Sequence, residues 1–103
     1  MERRTFVFDL KHGMEQEYIR RHREIWPEML NLLKEAGISN YSIWLWNGQV
    51  IGYYESENLS KTDVYKEQSP VQAKWSAYMQ DILLPAMRDN MPVSPPECVF
   101  YLE

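Results

Sequence analysis

Asn47-Gly48 lies between two runs of aromatic and β-branched residues, Ser39 to Trp46 and Gln49 to Glu55, and this arrangement admits little besides a tight β-hairpin. Asn and Gly both tolerate the positive φ that a two-residue hairpin turn demands, and the flanking runs place successive side chains on opposite faces. An isolated hairpin buries too little to persist in water, so the rest of the chain must supply further strands or helices to cover it.

The segments on either side fit that requirement. Arg4 to Leu10 alternates as a first strand, with Phe6 and Phe8 on one face and Val7 on the other, and Lys11-His12-Gly13 ends it. From Met14 to Ala36 the pattern turns helical, carrying Tyr18, His22, Ile25, Met29, Leu32 and Ala36 at steps of three or four, with Gly37 as the stop. Pro27 removes a backbone donor and crowds the preceding turn, which predicts a break near Ile25 and Trp26. Ser60 and Asp63 are expected to cap a short helix. Ser69-Pro70 opens a longer one that carries Val71, Trp75, Tyr78 and Ile82 and is expected to end near Pro85. Asn90 to Pro96 reads as an extended loop and Glu97 to Leu102 as a last strand.

The resulting order, β-α-β-β-α-β, predicts an α+β, ferredoxin-like (split βαβ) fold, an antiparallel sheet with helices on one face. In the second strand Tyr41, Ile43 and Leu45 point one way and Trp44 and Trp46 the other. The uncovered sheet face is therefore apolar, and a second copy of the chain is expected to cover it in a dimeric α/β barrel-like assembly, a homodimer.

With 103 residues the chain is expected to form a single domain, residues 1–103, because two cores would each be too small. Hydrophobic residues at 45% and charged residues at 25% match a globular protein rather than a disordered one. A net charge of -4 argues against a nucleic-acid partner, whose binding rests on clustered Lys and Arg. Cys98 has no second cysteine to pair with, and the first apolar run is too short for a signal peptide or a membrane span, so a cytoplasmic location is expected. His12 and His22 come without recognisable zinc spacing, and no metal or cofactor is expected. Phosphate-cradling glycine loops and a Gly-x-Ser-x-Gly elbow are also missing.

Tyr18 and His22 stand out because they put a phenol and an imidazole, one helical turn apart, on a stripe that aliphatic residues would ordinarily fill. Two readings fit: a pair acting on one ligand, or a hydrogen-bonded, partly buried structural pair. Tyr41 is on the strand face expected to meet this helix, where it can join the same pocket or fill the end of the core. Trp26, Trp75 and Tyr78 have the spacing of core residues and also the flat apolar faces that suit the C–H side of a sugar. Arg20-Arg21-His22-Arg23 is flanked by Glu15, Glu17, Glu24 and Glu28 and reads as a solvated helix face. Cys98, in the expected terminal strand, reads as buried filler.

Taken together, Tyr18 to His22, Ile25-Trp26-Pro27-Glu28, Asn40-Tyr41-Ser42-Ile43, Trp75 to Met79, Pro92-Val93-Ser94 and Phe100-Tyr101-Leu102 resemble the L-rhamnose mutarotase family nearly end to end. The resemblance implies a cofactor-free isomerase that interconverts the α and β anomers of a deoxyhexose, with a ferredoxin-like fold and a homodimer. It further implies that His22 is the catalytic acid/base and that Tyr18, Tyr41 and Trp75 bind the substrate, a monosaccharide. The family typically has two adjacent tryptophans where this chain has Trp75-Ser76, a departure that bears on which sugar fits beside Ser76 rather than on the reaction. Two other functions share such a scaffold. A cofactor-free monooxygenase would consume oxygen with a phenolic substrate, and a non-enzymatic ligand-binding module would leave sugar anomer exchange unchanged.

Overall fold

The computed structural model describes residues 1–88 and 91–103. The hairpin forms as expected: β2 (Ser39–Trp46) and β3 (Gln49–Ser56) are antiparallel and joined by Asn47 and Gly48 at φ 50 and 75°. β1 (Glu2–Leu10) pairs with the other side of β3, and β4 (Leu83–Pro85) pairs with β1, giving one antiparallel sheet in the order β2-β3-β1-β4. This is the strand order of a ferredoxin-like fold. Among the described residues, no helix is long and apolar enough to cross a membrane.

The helical stretch divides where Pro27 requires it, into α1 (Glu15–Arg23) and α2 (Pro27–Glu35). Trp26 takes the extended conformation that a residue before proline favours, and Pro27 occupies the first turn of α2, where its missing N–H goes unused. At the other end, Gly37 adopts φ 89°, and the Gly37 and Ile38 amides donate to the Lys34 and Leu33 carbonyls in a Schellman closure.

α3 (Leu59–Glu67) begins one residue before Ser60, and its cap is Asn58, whose side chain accepts from the Lys61 amide; the expected Ser60–Asp63 cap does not form. Asp63 is instead committed to an ion pair with Arg4 on β1. α4 (Pro70–Met79) opens as expected, with Ser69 accepting from the Gln72 amide.

The expectation that this helix continues to Pro85 is corrected. It stops at Met79, the Ile82 side chain turns into the core at 2% exposure, and the Ile82 carbonyl accepts from the Lys11 amide at the end of β1. The next residues form β4, so the fourth sheet strand is Leu83–Pro85 and not Glu97–Leu102. Residues 97–102 have no regular secondary structure. The expected loop also changes: Met91–Pro92 (β6) pairs with Met87–Arg88 (β5), while Asn90 lies outside the described residues.

All four helices cover one sheet face. Leu10 and Val50 from the sheet meet Tyr18, Met29, Leu32, Trp75 and Met79 from the helices in one buried cluster. Burying such side chains contributes about 1.5–3 kcal/mol each, which is what holds helices of modest length in place. The opposite face presents Trp44 and Trp46 at 65% and 63% exposure, with Trp44 opposite Ile51 and Ile51 opposite Val7.

Gly52 faces the helices directly opposite Phe6, and the Phe6 ring occupies the space that a Cβ at Gly52 would need. Gly52→Ala should therefore destabilise the fold by about 1–3 kcal/mol, the usual cost of overpacking. Denaturant unfolding tests this. The cost should shrink in a Phe6→Leu background, because the ring is what the added methyl meets.

Candidate active site

α1 places Tyr18 and His22 one turn apart on its inner face, as the four-residue spacing requires. Their rings stack at 4.3 Å between centroids and 29° between planes. His22 Nδ1 lies 3.0 Å from the Tyr18 carbonyl oxygen. A carbonyl only accepts, so Nδ1 is the protonated nitrogen and Nε2 carries the lone pair. Trp75, from α4, meets the imidazole edge-on at 5.5 Å and 90°.

Tyr41 approaches from the sheet. Pairing of β2 with β3 is irregular between Ser39 and Ser42, where Asn40 adopts φ 49°. Beyond that bulge Tyr41 packs against Phe6 at 6.2 Å and Tyr54 at 5.2 Å. Tyr18, His22, Tyr41, Trp75 and Ser76 all line one cavity of about 680 Å³ beneath the helices. The five residues singled out from the sequence are thus brought together from α1, β2 and α4.

Other predicted roles divide. Trp26 stacks on Tyr78 at 5.5 Å and meets Trp75 edge-on at 5.1 Å, so Trp26 and Tyr78 brace Trp75 from the core. The basic run is not uniformly solvated. Arg20 is exposed and pairs with Glu17 and Glu24, but Arg21 is only 7% exposed. Its guanidinium donates to Glu17, to Asp81 and to the Tyr78 carbonyl, and sits 4.3 Å from the Tyr78 ring centroid. Cys98 is exposed rather than buried, because the terminal strand expected to enclose it does not form.

The cavity also takes in residues that sequence periodicity did not single out. Arg4, Tyr54 and Lys66 line it together with Gln72. Arg4 donates to both Asp63 oxygens at 2.5 and 3.0 Å and to the Tyr54 hydroxyl at 3.0 Å. Arg4 and Tyr54 share a strand parity and are cross-strand partners, and that alternation was the available signal. Gln72 donates to Ser76 Oγ at 3.0 Å, while its own carbonyl oxygen is buried without a hydrogen bond. Among the described residues, no three His, Cys, Asp or Glu side chains cluster to hold a metal ion.

Burial sets the protonation states. It holds the His22 imidazole below its ordinary value, opposed only by the Tyr18 carbonyl. It pushes the Tyr18 phenol well above the usual tyrosine range, and Tyr41 likewise, with Tyr18 and Tyr54 adding to the effect on Tyr41. At neutral pH the cavity therefore presents a neutral imidazole and two neutral phenols, one good proton acceptor beside two donors.

A family model described as L-rhamnose mutarotase matches residues 3–102. The chain belongs to the L-rhamnose mutarotase family. Members are carbohydrate isomerases that interconvert anomers, which separates this chain from monooxygenases and non-enzymatic binding modules. The L-rhamnose mutarotase of Sinorhizobium fredii (strain NBRC 101917 / NGR234) is 45% identical over 106 residues, covering 99% of both chains. That of Tolumonas auensis (strain DSM 9187 / NBRC 110442 / TA 4) is 39% identical over 105 residues, again covering 99% of both. The crystal structure of L-rhamnose mutarotase from Formosa agariphila superposes with a TM-score of 0.80 at 34% identity, over 100% of each chain. Tetracenomycin F2 cyclase from Streptomyces glaucescens, at a TM-score of 0.73 and 13% identity over 100% of this chain and 98% of its own, shares the fold.

The direction of the His22 shift has a stability consequence. Above about pH 6.5 both folded and unfolded chains hold a neutral imidazole. Below it the unfolded chain binds a proton that folded His22 resists, so stability attributable to this group falls as pH drops from there. An NMR titration of the His22 ring should give a midpoint below 6.5. A midpoint above it would mean that an acidic partner, not burial, governs the ring.

Proposed function

We propose that this L-rhamnose mutarotase family member interconverts the α and β anomers of L-rhamnose or a closely related deoxyhexose, with His22 as acid/base. The observation that carries the proposal is a neutral, cavity-lining imidazole whose Nδ1–H is tied to the Tyr18 carbonyl, which leaves Nε2 to accept a proton. Nε2 takes the proton from the anomeric hydroxyl and returns it to the ring oxygen as the C1–O5 bond breaks, so the imidazole ends neutral. The aldehyde carbon turns its other face, the ring oxygen re-attacks it, and the same transfers run in reverse. Atoms balance without a redox partner. Phenols at Tyr18 and Tyr41, both kept protonated by burial, donate to sugar oxygens and fix the ring's position. Trp75 covers an apolar ring face or the methyl group. Ser76, exposed at the mouth, leaves room where a second indole would close the pocket, and so favours a sugar with more bulk on that side.

In this reading the enzyme is cytoplasmic and works as a homodimer without nucleic-acid partners, consistent with one cysteine and a net charge of -4. The dimer reading rests on the open sheet face, where Trp44 and Trp46 extend the apolar row through Ile51 and Val7.

His22→Ala should lower anomer exchange by about a hundredfold or more while circular dichroism stays unchanged. Saturation-transfer NMR on L-rhamnose measures this, and near wild-type exchange by the folded variant would sink the acid/base role. Sedimentation at micromolar concentration should give a dimer that Trp44→Glu dissociates. A wild-type monomer would show that the open face meets no second copy.

A further inference from the structure

Lys66 is near the C-terminal end of α3 and lines the same cavity as His22, but contacts reach it from the sheet side. Tyr41 packs on Tyr54, Tyr54 accepts from Arg4, and the Lys66 ammonium lies 5.6 Å from the Tyr54 ring centroid. The tyrosine pair on the sheet thus leads from Tyr41 to a polar end served by α3, while His22 and Trp75 hold the end served by α1 and α4.

The charges at that polar end are unequally committed. Asp63 is one helical turn before Lys66 and is its nearest natural counterion. Both Asp63 oxygens are taken by the two terminal nitrogens of Arg4, a fork geometry that a lysine cannot displace. Among the described residues, the Lys66 ammonium has no ion pair and no hydrogen-bond partner, while the Lys66 carbonyl accepts from the Ser69 amide. Burial weakens its hold on its proton, with Asp63 opposing and Arg4 reinforcing. A partly desolvated ammonium without acceptors is costly unless something entering the cavity supplies them. A sugar with its anomeric carbon at His22 has C4 across the ring, and the C4 hydroxyl oxygen is such an acceptor.

We infer that Lys66 is a substrate-binding residue that sets specificity, donating a hydrogen bond to the hydroxyl at C4, on the ring edge opposite the anomeric carbon. The inference rests on the assignment of the anomeric carbon to His22. Lys66 fixes which substituents the far edge must carry, and Arg4 with Asp63 holds the Tyr54 wall against which the ammonium is placed. Because the contact is made in the ground state as much as in the transition state, it acts on KM more than on kcat.

Anomer exchange on L-rhamnose and on its 4-deoxy analogue, with wild type, Lys66→Met and Lys66→Arg, tests this. Lys66→Met keeps the length of the stem and removes the donor. It should raise KM for L-rhamnose about tenfold or more with little change in kcat, the scale of a charged hydrogen bond, and Lys66→Arg should recover part of the loss. Wild type should discriminate against the 4-deoxy sugar by a similar factor, and Lys66→Met should treat the two sugars alike. Unchanged KM, or undiminished discrimination by Lys66→Met, overturns the inference. Calorimetric binding of L-rhamnose to folded His22→Ala, with and without Lys66→Met, separates the two assignments. Binding that depends on Lys66 alongside undiminished exchange by His22→Ala removes the acid/base role alone. Lost exchange with binding indifferent to Lys66 removes this inference alone.

Discussion

The antiparallel register of β1 against β3 is the constraint on which the rest of the structure depends. It sets Arg4 opposite Tyr54, Phe6 opposite Gly52 and Phe8 opposite Val50, and sends all six toward the helices. A slip of β1 by one residue would turn Arg4, Phe6 and Phe8 to the other face and offer Arg3, Thr5 and Val7 in their place. Core and cavity would suffer together, since Leu10, on the same face of β1, belongs to the first and Arg4 and Phe6 line the second. Gly52 makes the arrangement exclusive, because only a residue without a side chain leaves space for the Phe6 ring, against whose edge Tyr41 then packs.

The helix layer adds reactivity to that surface. α1 is short, acidic at its start and basic at its end, which suits the helix dipole but gives too little length for independent stability. Arg21 ties it down from the side next to His22, reaching the Tyr78 carbonyl in the last turn of α4 and Asp81 just beyond its end. The same α4 supplies Trp75 to the imidazole edge. His22 and Trp75 are therefore held in relative position by an ion-paired clamp and by the Trp26–Trp75–Tyr78 aromatic group, neither of which needs a ligand to form.

Local chemistry made much of this legible in the sequence. Asn47-Gly48, Pro27, Gly37 and Ser69-Pro70 each impose a backbone geometry by themselves, and all four positions act as their residue types demand. Four-residue spacing on α1 and alternation on β2 were enough to bring Tyr18, His22 and Tyr41 to one cavity. What escaped was decided by distant partners. Asp63 looks like a helix cap until Arg4, 59 positions away in sequence, claims its carboxylate. Ile82 continues a helical pattern, but the end of β1 takes its carbonyl and the chain turns into the sheet. Glu97 to Leu102 alternates as a strand should, yet it joins no ladder, and the fourth strand beside Phe8–Leu10 of β1 is Leu83–Pro85. Lys66 carries no periodic signal because its setting is composed of residues from β1 and β3.

Pro85 has a consequence for how copies of this chain can meet. It closes the last strand at the outer edge of the sheet, pairing with Phe8 while offering no amide hydrogen of its own. β4 itself is only three residues long and presents almost no ladder for another strand to extend. Strand addition is therefore disfavoured over this part of the sheet edge, and the exposed apolar side chains concentrate instead on the open sheet face, around Trp44 and Trp46.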